Sequence, residues 1–554
     1  TFKNWSKSIN KYSAGWNKYL LGSYEQNEDG SYSYTTNRVG NEVSTDLNST
    51  NETAGDRRIY LEAMVDYNRT FGRHDVNAML LYNQDELVNN VPGNNLINSL
   101  PKRKQGLAGR LSYAYDGKYM AEVNMGYNGS ENFAKGHRWG FFPSIALGYN
   151  ISEESFFEPL RKVITSMKLR GSWGLVGNDQ IGGERFIYMP TINLSGKGFT
   201  TGIDQNYGLS GPVYTRYENN SITWEVGEKI NLGIDLQLLN SLNIVVDIFR
   251  ETRRDIFQKK GTIPTYLGTG NTDVFGNLAE MKNQGLDLSI DYNKAFSKDF
   301  YMNFKGTFTY AHNEITKYDE APKYAFQSKV GQSANVSQGY LSNGLFLDEA
   351  EIDRYNQQMG STLGAGDIKY LNVSNMHGYG DDIVDVDDWT WIGNPTVPEI
   401  VYGFGPSFKY KNWDFSFFFQ GVAKTSLFMS GFHPFGDNSL RNVLQFVAND
   451  RWSPTNQNVD AKYPRLTRKT SLNNTNPGNS GRTSDYWMRD GSFLKLKNME
   501  LGYTFKRMRF YISGSNLLTF SKFDLWDPEQ GGGSGLKYPT QRVFNVGFQM
   551  TFNN

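Results

Sequence analysis

Cysteine is absent from all 554 residues. Disulfides, thiolate metal centres and a lipid-anchoring cysteine are therefore excluded within this chain. Long apolar runs are missing too. No stretch approaches the ~18 consecutive apolar residues that a transmembrane helix needs. Neither sign of charge is in excess, with Lys plus Arg at 57 and Asp plus Glu at 57. The balance gives no reason to expect a polyanionic partner, nucleic acid included. Nucleophile and metal signatures are also lacking: there is no G-x-S-x-G, P-loop or H-E-x-x-H. The five histidines, His74, His137, His312, His377 and His433, are scattered without metal-ligand spacing and read as polar loop residues. No catalytic residue is nominated, and the chain is not read as an enzyme.

What the sequence does have is alternation. From Gln541 to Phe552, Phe544, Val546, Phe548, Met550 and Phe552 fall on one face, and Asn545, Gly547, Gln549 and Thr551 on the other. The length suits a tilted membrane strand of roughly 9–11 residues. Large apolar residues outside and small polar ones inside mark a transmembrane β-barrel. One such strand fits a soluble sandwich equally well, so recurrence has to decide. The mean hydropathy of -0.58 does not oppose a barrel, since half of each strand and every loop is polar.

The pattern recurs along the whole chain. It is found in Arg58–Asn68, then at Val76–Tyr82, Leu111–Tyr115, Tyr119–Tyr127, Ile145–Tyr149 and Met167–Trp173. It continues at Ile230–Leu238, Leu242–Ile248, Leu286–Tyr292, Met302–Tyr310, Tyr402–Tyr410, Trp413–Phe419, Leu494–Phe505 and Met508–Ile512. A further strand is expected near Lys11–Glu25, followed by a polar loop to Asp56, and residues Ile151–Thr165 read as briefly helical. Asp116-Gly117 between two runs is a strong hairpin signal. One slip of phase near Asn498 suggests a β-bulge. The connections alternate short and long, as the periplasmic turns and extracellular loops of an up-and-down barrel do. The expected fold is thus all-β, a transmembrane antiparallel barrel of about sixteen strands, with long extracellular loops at about 177–221, 313–398 and 426–490.

Several segments resemble the SusC/RagA-like TonB-dependent outer-membrane transporters of Bacteroidota. They include RWGFFPSIALGYNISEE (138–154), MKLRGSWGLVGNDQIG (167–182), EVGEKINLGIDLQLL (225–239), IGNPTVPEIVYGFGPSFKYKNWDFSFFFQG (392–421), DGSFLKLKNMELGYTF (490–505), YISGSNLLTFSKFDLWDPE (511–529) and YPTQRVFNVGFQMTF (538–552). The resemblance implies that residues 1–554 are the C-terminal part of one barrel domain of ~22 strands around a plug. Neither a plug nor a signal peptide is recognisable in this chain. The implied function is TonB-powered import of a nutrient across the outer membrane, an oligosaccharide or else a peptide. The implied partners are a SusD-like surface lipoprotein, TonB acting through the plug, and outer-membrane lipid, in a dimer of SusC–SusD pairs. A passive porin is the alternative, since sixteen strands would suffice for one; a barrel enzyme or adhesin is a further one.

Two sets of residues are candidates for binding. Relatives carry an acidic motif like a calcium loop between segments matching Gly366–Tyr370 and Ile392–Pro395, and Asp381, Asp385 and Asp388 fall on its acidic positions. Closely spaced carboxylates suit a hard cation wanting ~6–8 oxygens, although Asp382 stands where the motif has glycine. No cofactor is otherwise required. Trp389, Trp391, Trp452 and Trp487 offer aromatic faces on which a sugar could stack. Inward charges such as Lys168, Arg170 and Glu122 fit a polar lumen without identifying a solute.

Overall fold

In the computed structural model, residues 1–93, 96–182, 185–264, 266, 273–355, 357–358, 363–431, 443–467 and 483–552 are described. Of the positions considered above, His433 lies outside them. Sixteen strands form one sheet: β1 (Phe2–Ser13), β2 (Asn48–Phe71), β3 (His74–Asn89), β4 (Lys102–Tyr115), β5 (Tyr119–Ser130), β6 (Trp139–Asn150), β7 (Ile164–Asn178) and β8 (Glu225–Leu238). The second half is β9 (Leu242–Lys259), β10 (Phe275–Ala295), β11 (Phe300–Lys317), β12 (Ile400–Tyr410), β13 (Trp413–Ala423), β14 (Phe493–Phe505), β15 (Met508–Ser521) and β16 (Val543–Met550). Every strand is antiparallel to its neighbour in sequence, so the topology is a pure meander. Among the described residues β1 and β16 do not pair with each other.

The register aligns residues of like character into rows. Ile234, Val246, Leu288, Phe308 and Tyr402 stand opposite one another across β8 to β12 on the outer face. The adjacent inward row runs Arg170, Gly233, Asp247, Asp287 and Thr309 across β7 to β11. A shift by one residue would exchange these rows, which is why the pattern holds the pairing. Aromatic rings gather toward both margins of the outer belt. Tyr119 stacks on Tyr149 (5.2 Å between centroids) at the short-turn end, and Tyr127 on Trp139 (4.8 Å) at the other. Such rings suit the boundary between hydrocarbon and water.

The short turns follow backbone chemistry. Asp116 and Gly117 both have positive φ, at 54° and 65°, as a two-residue hairpin turn requires. The turn expected at Asn240-Ser241 is centred one residue earlier, with Leu239 and Asn240 at 51° and 54°. Two 3-10 turns, Ile151–Glu153 and Ser155–Leu160, fill the segment read as helical. The expected bulge is present: pairing of β14 with both neighbours skips at Leu496/Asn498.

The strands run further than their alternation. β2 begins at Asn48, inside the polar run read as a loop, because pairing continues above the lipid belt where both faces are polar. The single strand expected near Lys11–Glu25 is divided. Its first part lies in β1, while Lys18–Gln26 pairs with Tyr32–Val39 in a hairpin outside the main sheet. The long connections are structured as well. Residues Thr191–Thr201 and Tyr207–Arg216 form a second hairpin. Phe133, Ile181, Ile187, Ile222 and Trp224 make a small core among the neighbouring connections.

An arginine at Leu288 should face hydrocarbon and one at Ser289 the lumen. Leu288→Arg is expected to destabilise the folded barrel by about 2–4 kcal/mol, whereas Ser289→Arg costs little. Urea titration of the barrel refolded into vesicles compares the two.

Candidate functional site

Two places gather polar chemistry, the inner wall and the loops above it. On the wall, Arg170 of β7 reaches across β8 to β9. Its guanidinium donates to Asp235 Oδ1 at 2.8 Å and to Asp247 Oδ2 at 3.0 Å. Gly233 lies between, on the intervening strand. A Cβ there would sit 2.6 Å from Asp247 Oδ1 and 2.8 Å from Arg170 Nη2. The arrangement recurs near the β16 edge of the sheet. Arg509 of β15 crosses β14 to donate through Nε to Asp414 Oδ1 of β13 at 3.1 Å, and also pairs with Glu500 at 2.5 Å. Gly502 is the residue it crosses, with a Cβ placed 2.5 Å from Asp414 Oδ2 and 2.6 Å from Arg509 Nη2. In both cases a side chain on the middle strand would fill the path of the guanidinium.

The rest of the wall is similarly hydrogen-bonded. Ser112 donates to Glu122 at 2.7 Å and Asn124 to the same carboxylate at 2.9 Å. Thr309 donates to Asp287 at 2.6 Å. A cavity of about 480 Å³ has Asn77, Ser112, Glu122, Lys168, Arg170 and Asn231 among its lining residues. Lys168, Arg170 and Glu122 thus face inward as the alternation implies. The bridging roles of Gly233, Gly502 and the acids beyond them could not be assigned from sequence, because they need the pairing register. The usable signal is an inward glycine flanked on adjacent strands by Arg and Asp.

Above β11 to β16, three long connections pack into one body. Its core contains Tyr340, Leu345, Ile368 and Tyr370 from the β11–β12 connection, and Met429, Trp452, Tyr463 and Trp487 from the β13–β14 connection. Phe523 and Trp526 join from the β15–β16 connection. Short pairs such as Ser337–Gly339 with Thr390–Ile392, and Ser426–Phe428 with Met488–Asp490, stitch it together. The buried ion pair of Arg465 with Asp367, at 2.5 and 2.8 Å, ties two of the connections. Lys495 of β14 is almost wholly buried and pairs with Asp527 and, at 2.9 Å, with Glu529 of the last connection. Burial alone would push the Asp527 and Glu529 carboxyls up. The hydrogen bonds from Lys495, joined at Glu529 by Lys497 (2.5 Å), outweigh it and hold both below the ordinary range.

The four candidate tryptophans all lie in this body. Trp452 and Trp487 are 5% and 2% exposed, so the core already covers their faces. Trp389 is half-buried, edge-on to Tyr340, and Trp391 donates to the Ser328 carbonyl at 2.8 Å. The acidic loop holds itself together. Asp388 accepts the Ser374 and Asp385 N–H groups at 2.9 and 2.8 Å, and burial raises its pKa. Asp385 accepts the Asp387 N–H at 2.8 Å, and Asp381 accepts the Asn372 amide at 3.1 Å. Among the described residues no group of three or more His, Cys, Asp or Glu side chains is placed to hold a metal ion. As arranged, the residues expected to ligate calcium are N–H acceptors that shape the loop.

The sequence matches the family described as "TonB dependent receptor-like, beta-barrel" over residues 1–517. It is 25% identical over 574 residues to TonB-dependent receptor P3 of Formosa agariphila, an alignment covering 93% of this chain and 54% of that protein. It is 28% identical over 471 residues to TonB-dependent receptor SusC of Bacteroides thetaiotaomicron, covering 80% and 43% respectively. The chain therefore spans about half the length of the curated relatives it matches. Among solved structures, the RagAB peptide transporter superposes with a TM-score of 0.67 at 19% identity, covering 91% of this chain and 56% of that one.

Gly233→Ala is expected to displace the Arg170 ion pairs, not the backbone, because only flexible side-chain ends oppose the new methyl. The cost should be about 1 kcal/mol or less and should vanish in an Arg170→Gln background, as a double-mutant cycle measures. For the last connection the sign follows from two depressed carboxyls. Their contribution is complete above the ordinary values of 3.8 and 4.5 and is lost as pH falls through the lower folded values. The protection of amides 522–542 against hydrogen exchange, corrected for the intrinsic rate at each pH, should therefore fall on acidification below about pH 4, and Lys495→Met should remove that dependence.

Proposed function

Because this chain belongs to the TonB-dependent receptor-like β-barrel family of the bacterial outer membrane, we propose that it forms the channel wall and outer vestibule of an energised importer. The observation that carries this reading is a polar inner wall roofed at its loop end by one packed body from three connections. A water-lined wall suits a hydrophilic solute, and a preorganised roof suits a binding surface more than an open pore. In this proposal the outer edges of β1 and β16, which have no partner strand among the described residues, are closed by further strands of the same polypeptide, which also supplies a plug and the TonB-contacting segment. Unpaired backbone groups in hydrocarbon are costly, and the chain's length relative to its relatives supports the same conclusion.

The solute is an oligosaccharide or a peptide. The name of the SusC relative and the peptide transport stated for RagAB support this range without choosing within it. The roof formed by the β11–β12, β13–β14 and β15–β16 connections is the proposed seat of a SusD-like lipoprotein. The pairs are proposed to associate as dimers. Removal of the gene should abolish uptake of a labelled solute, and loss of TonB should do the same while the protein remains in the membrane. In planar bilayers the whole protein should show no steady ion current. Steady conductance with TonB-independent uptake would instead establish a passive porin.

A further inference from the structure

The outer face of β8 to β11 changes character abruptly toward the loop end. One row reads Leu232, Ile248, Leu286, Tyr310, all suited to lipid. The next reads Ile230, Arg250, Gln284, His312, and the one above it Glu228, Thr252, Lys282, Glu314. Trp173 stands opposite Ile230 and donates to Glu228 at 2.8 Å, which places an interfacial ring at this same level. Arg250 is thus the first charge above the belt, at the depth where lipid headgroups begin.

Several neighbouring polar groups find partners within the protein among the described residues. Arg254 pairs with Glu228 at 3.6 Å, Lys317 with Glu280 at 3.4 Å, and His312 with Glu399 at 2.5 Å. Farther round the rim, Arg103 pairs with Glu86 at 2.7 Å. Arg250 and Lys282 have no carboxylate within 4.0 Å among the described residues, although Glu314 stands across from Lys282. They are diagonal neighbours, about 7–8 Å apart at the backbone, with the exposed amide of Gln284 beside them. Long side chains at that spacing can close on a single anion, Arg through a two-pronged contact and Lys as a point charge.

We infer that Arg250 and Lys282, with Gln284, seat the phosphorylated headgroup of a lipid in the outer leaflet. Continuity with the lipid belt selects this occupant over a free anion. Ile248 directly below Arg250 is 61% exposed, so acyl chains of the same molecule would cover it. The charge then serves to fix the height and rotation of the barrel in the bilayer, as interfacial cations do.

Native mass spectrometry of the whole protein in mild detergent tests this, using a bis-phosphorylated glycolipid and its dephosphorylated form as probes. The wild-type protein should retain the phosphorylated lipid, and Arg250→Gln/Lys282→Gln should weaken that retention roughly tenfold or more. Glu314→Gln, which removes the flanking acid, should strengthen it. The dephosphorylated lipid should be held weakly and equally by all three proteins. Equal retention of both lipids by the wild type overturns the inference without recourse to any variant. So does undiminished retention by the double variant, and so does complete displacement by millimolar inorganic phosphate, which would mark a free-anion site.

Discussion

In hydrocarbon every backbone N–H and C=O must find its partner inside the protein, and an antiparallel ladder is how this chain meets that requirement. The rest of the architecture follows. Once each strand is paired to the next along its length, residues of one phase form continuous rows. Those rows face either lipid or lumen with no intermediate choice. The belt through Ile234, Val246, Leu288 and Phe308 and the charged row through Arg170, Asp247 and Asp287 are two products of one register. The ladder also explains the outer boundary. Pairing continues above the belt in β2, β9 and β11, and only the side chains change when water and headgroups replace acyl chains.

The lumen poses the opposite problem, since charged side chains must be packed beside one another without a hydrophobic core to hold them. The wall solves it by letting arginines bridge across a strand. Arg170 and Arg509 each neutralise acids on more than one position, and each passes over a glycine to do so. Glycine in a strand is usually a weakness. Here the missing Cβ is the opening through which two non-adjacent strands are coupled. The loops use yet another means, a buried aromatic core closed by ion pairs, which behaves like a small soluble domain built on the rim.

The same physics governs what could be read from residues alone. Alternation is local, so most strand positions, the short turns and the bulge at Asn498 were legible, as was the inward direction of Lys168, Arg170 and Glu122. Where both faces are polar the alternation disappears, and the extensions of β2 and the hairpin at Lys18–Gln26 went unseen. The tryptophans show a different shortfall. A Trp in a polar stretch looks available for a ligand, yet Trp452 and Trp487 are committed to a core assembled from segments far apart in sequence. The carboxylates of Asp385 and Asp388 have the spacing of an ion site, and the folded loop adds what spacing does not show, namely the backbone N–H groups they accept.

The amino-acid sequence by itself determined that the chain is a membrane-embedded meander of about sixteen strands, because period-two alternation and turn chemistry act over a few residues. It also determined which ends of the strands carry long connections. Only the tertiary structure decided which residues meet. The bridging of Arg170 over Gly233, the burial of Lys495 between Asp527 and Glu529, and the lack of a carboxylate beside Arg250 among the described residues depend on register and on contacts across tens to hundreds of residues. No local pattern encodes such meetings, since each partner is ordinary in its own neighbourhood and becomes particular only through what the fold sets opposite it.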